Sequence, residues 1–483
     1  MKRIIAKLLS IAMLLTLATL PLSSCSETDR LARMDEPERA VAFFTLVEET
    51  LDGAASLSIE QKMSFKLDVE DLAYEQVSEG TITFITDGEQ LTYLDQSTTT
   101  VWSGGEKTVT YIDEGFADGM MFTYYKEGKA ETRLKSPITR EEYEAFREEE
   151  SAEVPELRVG EGYCTIMTCR QAEDGTWTAT YEGFTEEGMK TARHIVKSME
   201  TALNAEHTLT DIRLTVTADK DLTPLSYIME FIFEENKGAE TRVPAIKVEN
   251  YFHGLDNTVL AQPYDLSGFT ETEDIRLIEG FLSGLNDREN ADTGSFTATT
   301  HATASYAGQT EKTTTKQNVT YKNLNGYEFT LSYSQEGYEV TMSYKNGSMT
   351  TVIREEKTGN KVDSSTDSMT DFEAQILVQQ FMDSENIQGI DIVGAEMRDE
   401  EKGICRLTLG DAVKNDLDEQ YLDSYGVAID RFTAYVDATV VEGKLTEYTM
   451  HVVTVMDLEG QTMSITVDYT VVFSELVEGG ETV

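Results

Sequence analysis

The chain has 483 residues, of which 40% are hydrophobic and 9% aromatic, which is enough for two or three folded domains. It carries 88 acidic and 40 basic side chains, a formal net charge of −48. Such a charge repels phosphate backbones and anionic lipid surfaces, so it excludes nucleic acid as a general partner.

The first predicted element is an export signal. Lys2, Arg3 and Lys7 precede an apolar run over residues 8–20, and small residues follow up to Ser24. The apolar run of about 13 residues is shorter than the ~20 that a spanning helix requires. This layout predicts a secretory signal peptide over residues 1–24.

The end of that segment, Leu22-Ser23-Ser24-Cys25, resembles the lipobox of bacterial lipoproteins. The resemblance implies a diacylglyceryl group on Cys25 and cleavage before it. Two acyl chains anchor a protein stably, so the implied location is extracytoplasmic and lipid-anchored, at the cell surface or in the periplasm. The alternative is a plain signal peptide cut nearby, with Cys25 an incidental thiol. Residues 25–35 are polar and are predicted to be a tether.

The rest of the chain is predicted to contain two similar halves, residues 36–262 and residues 268–478, with turn-rich sequence between them. Residues 227–252 and residues 448–473 both begin with Tyr-x-Met, carry a glycine near the middle and end in phenylalanine at the same spacing. Each segment predicts two apolar strands around a turn.

The order of predicted elements is the same in both halves. A helix opens each half, a helix with a capping box interrupts the strands, and a third helix precedes the closing strands. In chain order the helices are marked by residues 37–51, Thr139 with Glu142, residues 189–203, residues 273–286, Thr370 with Glu373, and residues 411–423. Period-two alternation predicts antiparallel strands with one covered face. The predicted fold class is therefore α+β: two tandem repeats of a curved antiparallel β-sheet, a half-barrel, packed against helices.

This order of elements after a lipobox resembles the LolA-like half-barrel group. That group includes periplasmic lipoprotein carriers and lipid-binding envelope lipoproteins. The resemblance covers nearly all of residues 36–478 as two copies, and it rests on element order because no signature residue is shared. It implies a curved sheet around helices that cover a hydrophobic cavity. The double copy departs from the single-unit carriers and argues against a transport role.

The first strand of the second half carries small side chains between two aromatic residues. The matching strand of the first half is bulky, with Leu57, Ile59, Met63, Phe65 and Leu67. Small side chains would leave space if their face is the covered one. The predicted ligand-binding residues are therefore Phe296, Ala298, Thr300, Ala302, Ala304 and Tyr306. The alternative is a solvated edge strand.

Motifs for catalysis and metal binding are missing from the sequence. It contains no H-E-x-x-H, G-x-S-x-G, S-x-x-K or P-loop, its five histidines are scattered, and no calcium-loop pattern occurs. We therefore predict no catalytic residue, no metal and no cofactor. Cys164, Cys169 and Cys405 are expected to be small buried hydrophobes, with a bridge to Cys405 as the lesser alternative.

The leading hypothesis is a membrane-anchored binding lipoprotein, not an enzyme, that holds a lipid or another apolar ligand. The second hypothesis is a structural or interaction protein of the cell envelope with filled cores and no ligand cavity. The third is a hydrolase whose carboxylates converge only in the fold. The sequence leaves the ligand, the oligomeric state and the particular membrane open.

Overall fold

A computed structural model describes residues 27–474 apart from residues 70–71, 88–89, 104, 153–156, 194–206, 236–244, 261, 290, 292, 323–327, 336, 370–372, 375–376, 379–386, 442 and 459. The predicted signal peptide and Cys25 lie outside the described residues. Contacts divide the chain into unit 1, Met1–Gly128 with Pro137–Ser267, and unit 2, Lys129–Ser136 with Gly268–Val483.

Strands dominate both units. The helices are α1 Glu27–Leu31, α2 Glu36–Asp52, α3 Arg140–Ala152, α4 Arg276–Glu289 and α5 Asp411–Tyr425, with a short 3₁₀ turn at Gly389–Asp391. The strands are β1 Ser56–Val69, β2 Leu72–Asp87, β3 Gln90–Ser103, β4 Glu106–Ala117, β5 Met120–Glu127, β6 Ala130–Pro137, β7 Cys164–Gln171, β8 Trp177–Phe184, β9 His207–Ala218, β10 Pro224–Glu235, β11 Ala245–His253, β12 Thr270–Glu271, β13 Thr293–Tyr306, β14 Gln309–Lys322, β15 Glu328–Gln335, β16 Tyr338–Lys345, β17 Ser348–Glu355, β18 Lys361–Ser368, β19 Ile392–Asp399, β20 Ile404–Leu409, β21 Ile429–Val441, β22 Lys444–Leu458 and β23 Gln461–Phe473.

The first and last strands of unit 1 are neighbours in the middle of its sheet. The strand order is β5-β4-β3-β2-β1-β11-β10-β9-β8-β7, and each described pair in this order is antiparallel. Strands that follow one another in the chain are therefore hairpin partners on each side of the β1–β11 pair. This pair is the long-range contact that joins the two runs of hairpins.

Unit 2 has the order β18-β17-β16-β15-β14-β13-β23-β22-β21-β20-β19, again with the first full strand beside the last. The short strand β12 pairs in parallel with β6, which groups with this unit. Both large sheets are open, with distinct edge strands, and most described residues are in strands. The prediction of antiparallel sheets is confirmed, whereas the α+β class overstated the helical part. The reason is that the alternating segments continue as strands of up to 16 residues.

The closing hairpins of the two units share one register. Tyr227 pairs with Asn250, two residues before Phe252, and Tyr448 pairs with Val471, two residues before Phe473. The opening strands match as well. Ile59 of β1 pairs with Phe252, and Phe296 of β13 pairs with Phe473.

Local signals set the helix ends. Thr139 and Glu142 form the predicted capping box before α3, with Glu142 Oε2 accepting from the Thr139 amide at 2.9 Å and Thr139 Oγ1 accepting from the Glu142 amide at 3.2 Å. Helix α4 begins three residues later than the pattern predicted, because Asp274 accepts a hydrogen bond from the Arg276 amide and caps the helix. Most of the third predicted helix, residues 189–203, lies outside the described residues, as does Thr370.

The apolar face of α2 packs against the β7–β10 side of the sheet in unit 1. Phe44 meets Tyr181 edge-on at 5.6 Å between ring centroids, and Phe43 lies 6.3 Å from Trp177. Tyr181 Oη donates a 2.7 Å hydrogen bond to the Ala40 carbonyl. These contacts define the covered face of the sheet in unit 1.

Candidate functional site

The six predicted ligand-binding residues share one face of β13 because side chains alternate along a strand. Ala298 pairs with Val471, and Val471 pairs with Tyr448, whose ring meets Phe281 of α4 edge-on at 5.8 Å. The face of β13 that carries Ala298 is therefore the face on which α4 packs, and we call it the covered face of unit 2.

The six residues do not form one uniform surface. Phe296 and Ala298 are each 2% exposed and are packed into the core beside Phe473 and Val471. The other four residues are half-buried, and these are Thr300, Ala302, Ala304 and Tyr306. Among these six residues, only the four on the second half of β13 therefore keep side-chain area that a ligand could cover.

Around that second half, the covered face is apolar across three adjacent strands. Ala302 pairs with Val467, Ala304 with Ile465 and Tyr306 with Met463. We define the apolar strip as a set of half-buried residues on β13, β22 and β23: Ala302, Ala304, Tyr306, Met450, Val452, Met463, Ile465, Val467 and Tyr469. Contiguous apolar residues that are only half-covered are typical of a binding surface.

The side chain of Thr454 is a polar group that lies among these apolar residues. Thr454 of β22 pairs with Ile465 and is 2% exposed, and its Oγ1 has no hydrogen-bond partner among the described residues. A buried hydroxyl without a partner is destabilising. Small-molecule sites are mostly apolar and contain a small number of polar groups that orient the ligand.

β13 is an interior strand, so the alternative of a solvated edge strand is wrong for it. Part of β14, not β13, is a solvated edge strand. On β14 every residue from Gln309 to Lys316 is exposed, because β14 pairs with β15 only from Gln317 onward among the described residues. Lys312 and Lys316 are the kind of charged residues that protect such an edge from pairing with another chain.

The covered face of unit 1 contains polar residues that the sequence reasoning passed over. The row of paired residues Tyr227–Asn250–Gln61 lies in the register position of Tyr448–Val471–Ala298 in unit 2. Buried polar residues continue from it over β1 to β4 and include Gln61, Gln76, Ser78, Ser97, Thr99, Thr110 and Asn250. Gln61 is the residue from which these polar positions could have been predicted, because it interrupts the apolar alternation of β1 between Ile59 and Met63.

The fold also brings together two histidines that are far apart in sequence. On the face of unit 2 opposite the covered one, Asp468 pairs with His301 on one side and with His451 on the other. His451 Nδ1 is hydrogen-bonded to Asp468, and His301 Nδ1 to Thr314 Oγ1 at 2.9 Å. Within the described part of the chain, no three His, Cys, Asp or Glu side chains are placed to hold a metal ion.

The three cysteines of the described residues are free and buried, as expected for small hydrophobes. Burial raises the pKa of the Cys169 thiol to about 12 and that of Cys405 to about 11. Cys164 is also shifted upward in pKa, mainly by burial. These thiols stay protonated at neutral pH and are poor nucleophiles.

Among the helices of the described residues, none has the length and apolar character needed to cross a membrane.

No family model matches the chain, and no curated protein matches it. Among solved structures, the chain is similar to a double mutant of the vaccine antigen transferrin-binding protein B from Haemophilus parasuis, with 6% identity and a TM-score of 0.15, over 86% of this chain and 76% of that one. It is also similar to a candidate outer membrane protein from Bacteroides fragilis, with 8% identity and a TM-score of 0.18, over 86% of this chain and 96% of that one. A third is a protein of the DUF3598 family from Nostoc punctiforme, with 8% identity and a TM-score of 0.12, over 85% of this chain and 94% of that one. TM-scores this low define no shared fold, so the function must be argued from the site.

Proposed function

We propose that this chain is a membrane-anchored, extracytoplasmic lipoprotein that acts as a binding module for a lipid or another apolar ligand. The anchor is a diacylglyceryl group on Cys25, as the lipobox resemblance implies. The two units are tandem copies of one half-barrel, which the matching strand orders and registers support.

The observation that carries the proposal is the apolar strip of unit 2 with Thr454 inside it. The strip lies on the covered face, yet its side chains remain half-buried. An acyl chain laid on this surface would remove apolar area from water, at about 25 cal/mol per Å². A hydroxyl or carbonyl group on the ligand would give Thr454 Oγ1 its missing hydrogen bond.

The charge of the protein narrows the ligand class. A net charge of −48 disfavours anionic lipids, so we propose a neutral or zwitterionic ligand. Phosphatidylethanolamine is a suitable probe because it has no net charge and carries ester carbonyls near its acyl chains.

The test measures binding of pyrene-labelled phosphatidylethanolamine by fluorescence, and of the unlabelled lipid by native mass spectrometry. Ala302→Trp fills the middle of the strip and should weaken binding at least tenfold. Thr303→Trp places the same ring on the opposite face of β13 and is the matched control, which should bind like the wild type. Thr454→Val should weaken binding less than Ala302→Trp, because it removes one hydrogen bond.

Wild-type protein that stays free of lipid after loading would contradict the proposal and favour the second hypothesis, a structural or interaction protein with filled cores. Equal losses in Ala302→Trp and Thr303→Trp would show that the strip is not the site.

A further inference from the structure

Unit 1 carries an unpaired amide in a place where unit 2 is apolar. Asn250 is 5% exposed, and its Oδ1 has no hydrogen-bond partner among the described residues. Its register equivalent in unit 2, Val471, is 0% exposed and lies between Tyr448 and Ala298. An unpaired buried acceptor destabilises a protein, so its presence calls for a group that bonds to it.

A second unpaired group belongs to the residue that pairs with Asn250. Tyr227 pairs with Asn250 across β10 and β11, and its buried Oη also has no partner among the described residues. Phe44 of α2 stacks on the Tyr227 ring at 6.0 Å, and Phe252 meets it edge-on at 5.5 Å. The two aromatic contacts fix the orientation of the phenol ring.

The electrostatics of this position favour a neutral ligand. The pKa of Tyr227 is raised well above its usual value. Burial is the largest cause, and the negative charges of Glu48 and Asp52 raise the pKa further. The phenol is therefore a neutral hydrogen-bond donor at physiological pH. The same two carboxylates repel an anionic ligand.

We propose that the covered face of unit 1 binds an uncharged polyhydroxylated ligand of the class of neutral sugars, through Asn250 Oδ1 and Tyr227 Oη. A sugar hydroxyl can donate to the amide oxygen and another can accept from the phenol. The neighbouring neutral polar residues Gln61, Ser78, Ser97 and Thr99 are buried on the same face of β1 to β3, where Ser78 and Thr99 are hydrogen-bonded to each other at 2.7 Å. This site is separate from the apolar strip, since it lies in the other unit and has the opposite polarity.

The two tryptophans of the chain give a selective signal for this site. Trp102 and Trp177 both belong to unit 1, so intrinsic tryptophan fluorescence reports on unit 1 alone. The purified full chain would be titrated with glucose, galactose, N-acetylglucosamine, maltose and cellobiose, and with glucose 6-phosphate as the anionic comparison. At least one neutral sugar should give a saturable change and raise the thermal midpoint of unit 1. Glucose 6-phosphate should bind at least tenfold more weakly than glucose if glucose is among the ligands.

Asn250→Val copies the residue of unit 2 and is the decisive variant. It should weaken sugar binding at least tenfold and raise the thermal midpoint of unit 1 in the absence of sugar, because it removes the unpaired amide. Tyr227→Phe should also weaken sugar binding. It replaces Asn250→Val as the test variant if Asn250→Val does not fold. Thr454→Val, in the lipid site of unit 2, should leave sugar binding unchanged.

Three results would overturn the inference. The first is that no sugar of the panel binds. The second is that Asn250→Val and Tyr227→Phe bind as tightly as the wild type. The third is that Asn250→Val lowers the midpoint of unit 1, because the amide would then be held by contacts in the folded protein and not open to a ligand.

Discussion

Asn250 and Val471 occupy the same register position in two different sheets. Each stands two residues before a phenylalanine and is paired with a tyrosine, Tyr227 in unit 1 and Tyr448 in unit 2. The valine is 0% exposed and the asparagine 5% exposed. Asn250 and Gln61 of unit 1 thus stand where unit 2 has Val471 and Ala298, and these polar residues give the covered faces of the two units different chemistry at this row.

The reciprocal change should destabilise unit 2. Val471→Asn buries an amide between Tyr448 and Ala298, and we expect a loss of about 2 kcal/mol in the free energy of unfolding. Circular dichroism during urea unfolding measures the whole chain, and tryptophan fluorescence follows unit 1 separately. The second signal should not move. Val472→Asn, on the opposite face and 44% exposed, is the matched control and should change stability little.

Arg288 should be essential to the core of unit 2. Its Nε and Nη2 donate to the Leu445 carbonyl at 2.9 and 2.7 Å, and its Nη1 donates to the Ser474 carbonyl at 2.9 Å. The guanidinium also lies 4.9 Å from the centroid of the Phe473 ring.

Arg288→Lys should lower the free energy of unfolding by about 2 to 3 kcal/mol, because an ammonium group cannot reproduce the planar fork of donors. Urea unfolding followed by circular dichroism checks this value. Arg431→Lys, at an exposed position of β21, is the control. Equal stability of the two variants would show that the fork of hydrogen bonds contributes nothing.

Stability at alkaline pH should depend on Cys169. Burial raises the pKa of this thiol from 9.0 to about 12, so the folded state keeps a proton that the unfolded state loses above pH 9. The free energy of unfolding therefore falls as pH rises from 9 toward 12, and the contribution is fully present below pH 9. Wild-type unit 1 should lose more stability between pH 8 and pH 11 than Cys169→Ala, measured by tryptophan fluorescence. Parallel pH profiles would contradict the assignment.

Membrane attachment should depend on Cys25 alone among the cysteines. Cys25→Ser should abolish metabolic palmitate labelling and move the protein from the membrane fraction to the soluble fraction. Cys405→Ser changes a buried thiol and should keep both properties. Equal labelling of wild type and Cys25→Ser would refute the lipid anchor.

Much of the local structure was predictable because it depends on neighbouring residues. In the helix predicted over residues 273–286, Ile275, Ile278, Leu282 and Leu285 recur at helical spacing, and all four are buried, although Ile275 lies one residue before α4 begins. The Asn346-Gly347 turn was predictable because both residues have positive φ, 50° and 76°, which this residue pair tolerates well. The start of α4 was misplaced because Asp274 supplies the cap and its role depends on the side-chain geometry.

The candidate site could be predicted only in part. Period-two alternation placed Phe296 and Tyr306 on one face of β13. It could not show that Phe296 is packed into the core whereas Tyr306 is half-buried. That difference depends on which residues of β22 and β23 pair beside them. The hydroxyl of Thr454 and the amide oxygen of Asn250, which lack partners among the described residues, could not be predicted from the sequence for the same reason.

By itself, the sequence determined the elements whose signals are local: alternating strands, amphipathic helices, caps and tight turns. Only the tertiary structure decided that β1 pairs with β11 and β13 with β23, and with them the rows of side chains that face each other. These pairs join residues that are 157 to 195 positions apart, from Tyr306 with Met463 to Ser58 with His253, and backbone hydrogen bonds are alike in every register. The register is therefore selected by the burial of side chains on the covered face, which exists only once the sheet has formed.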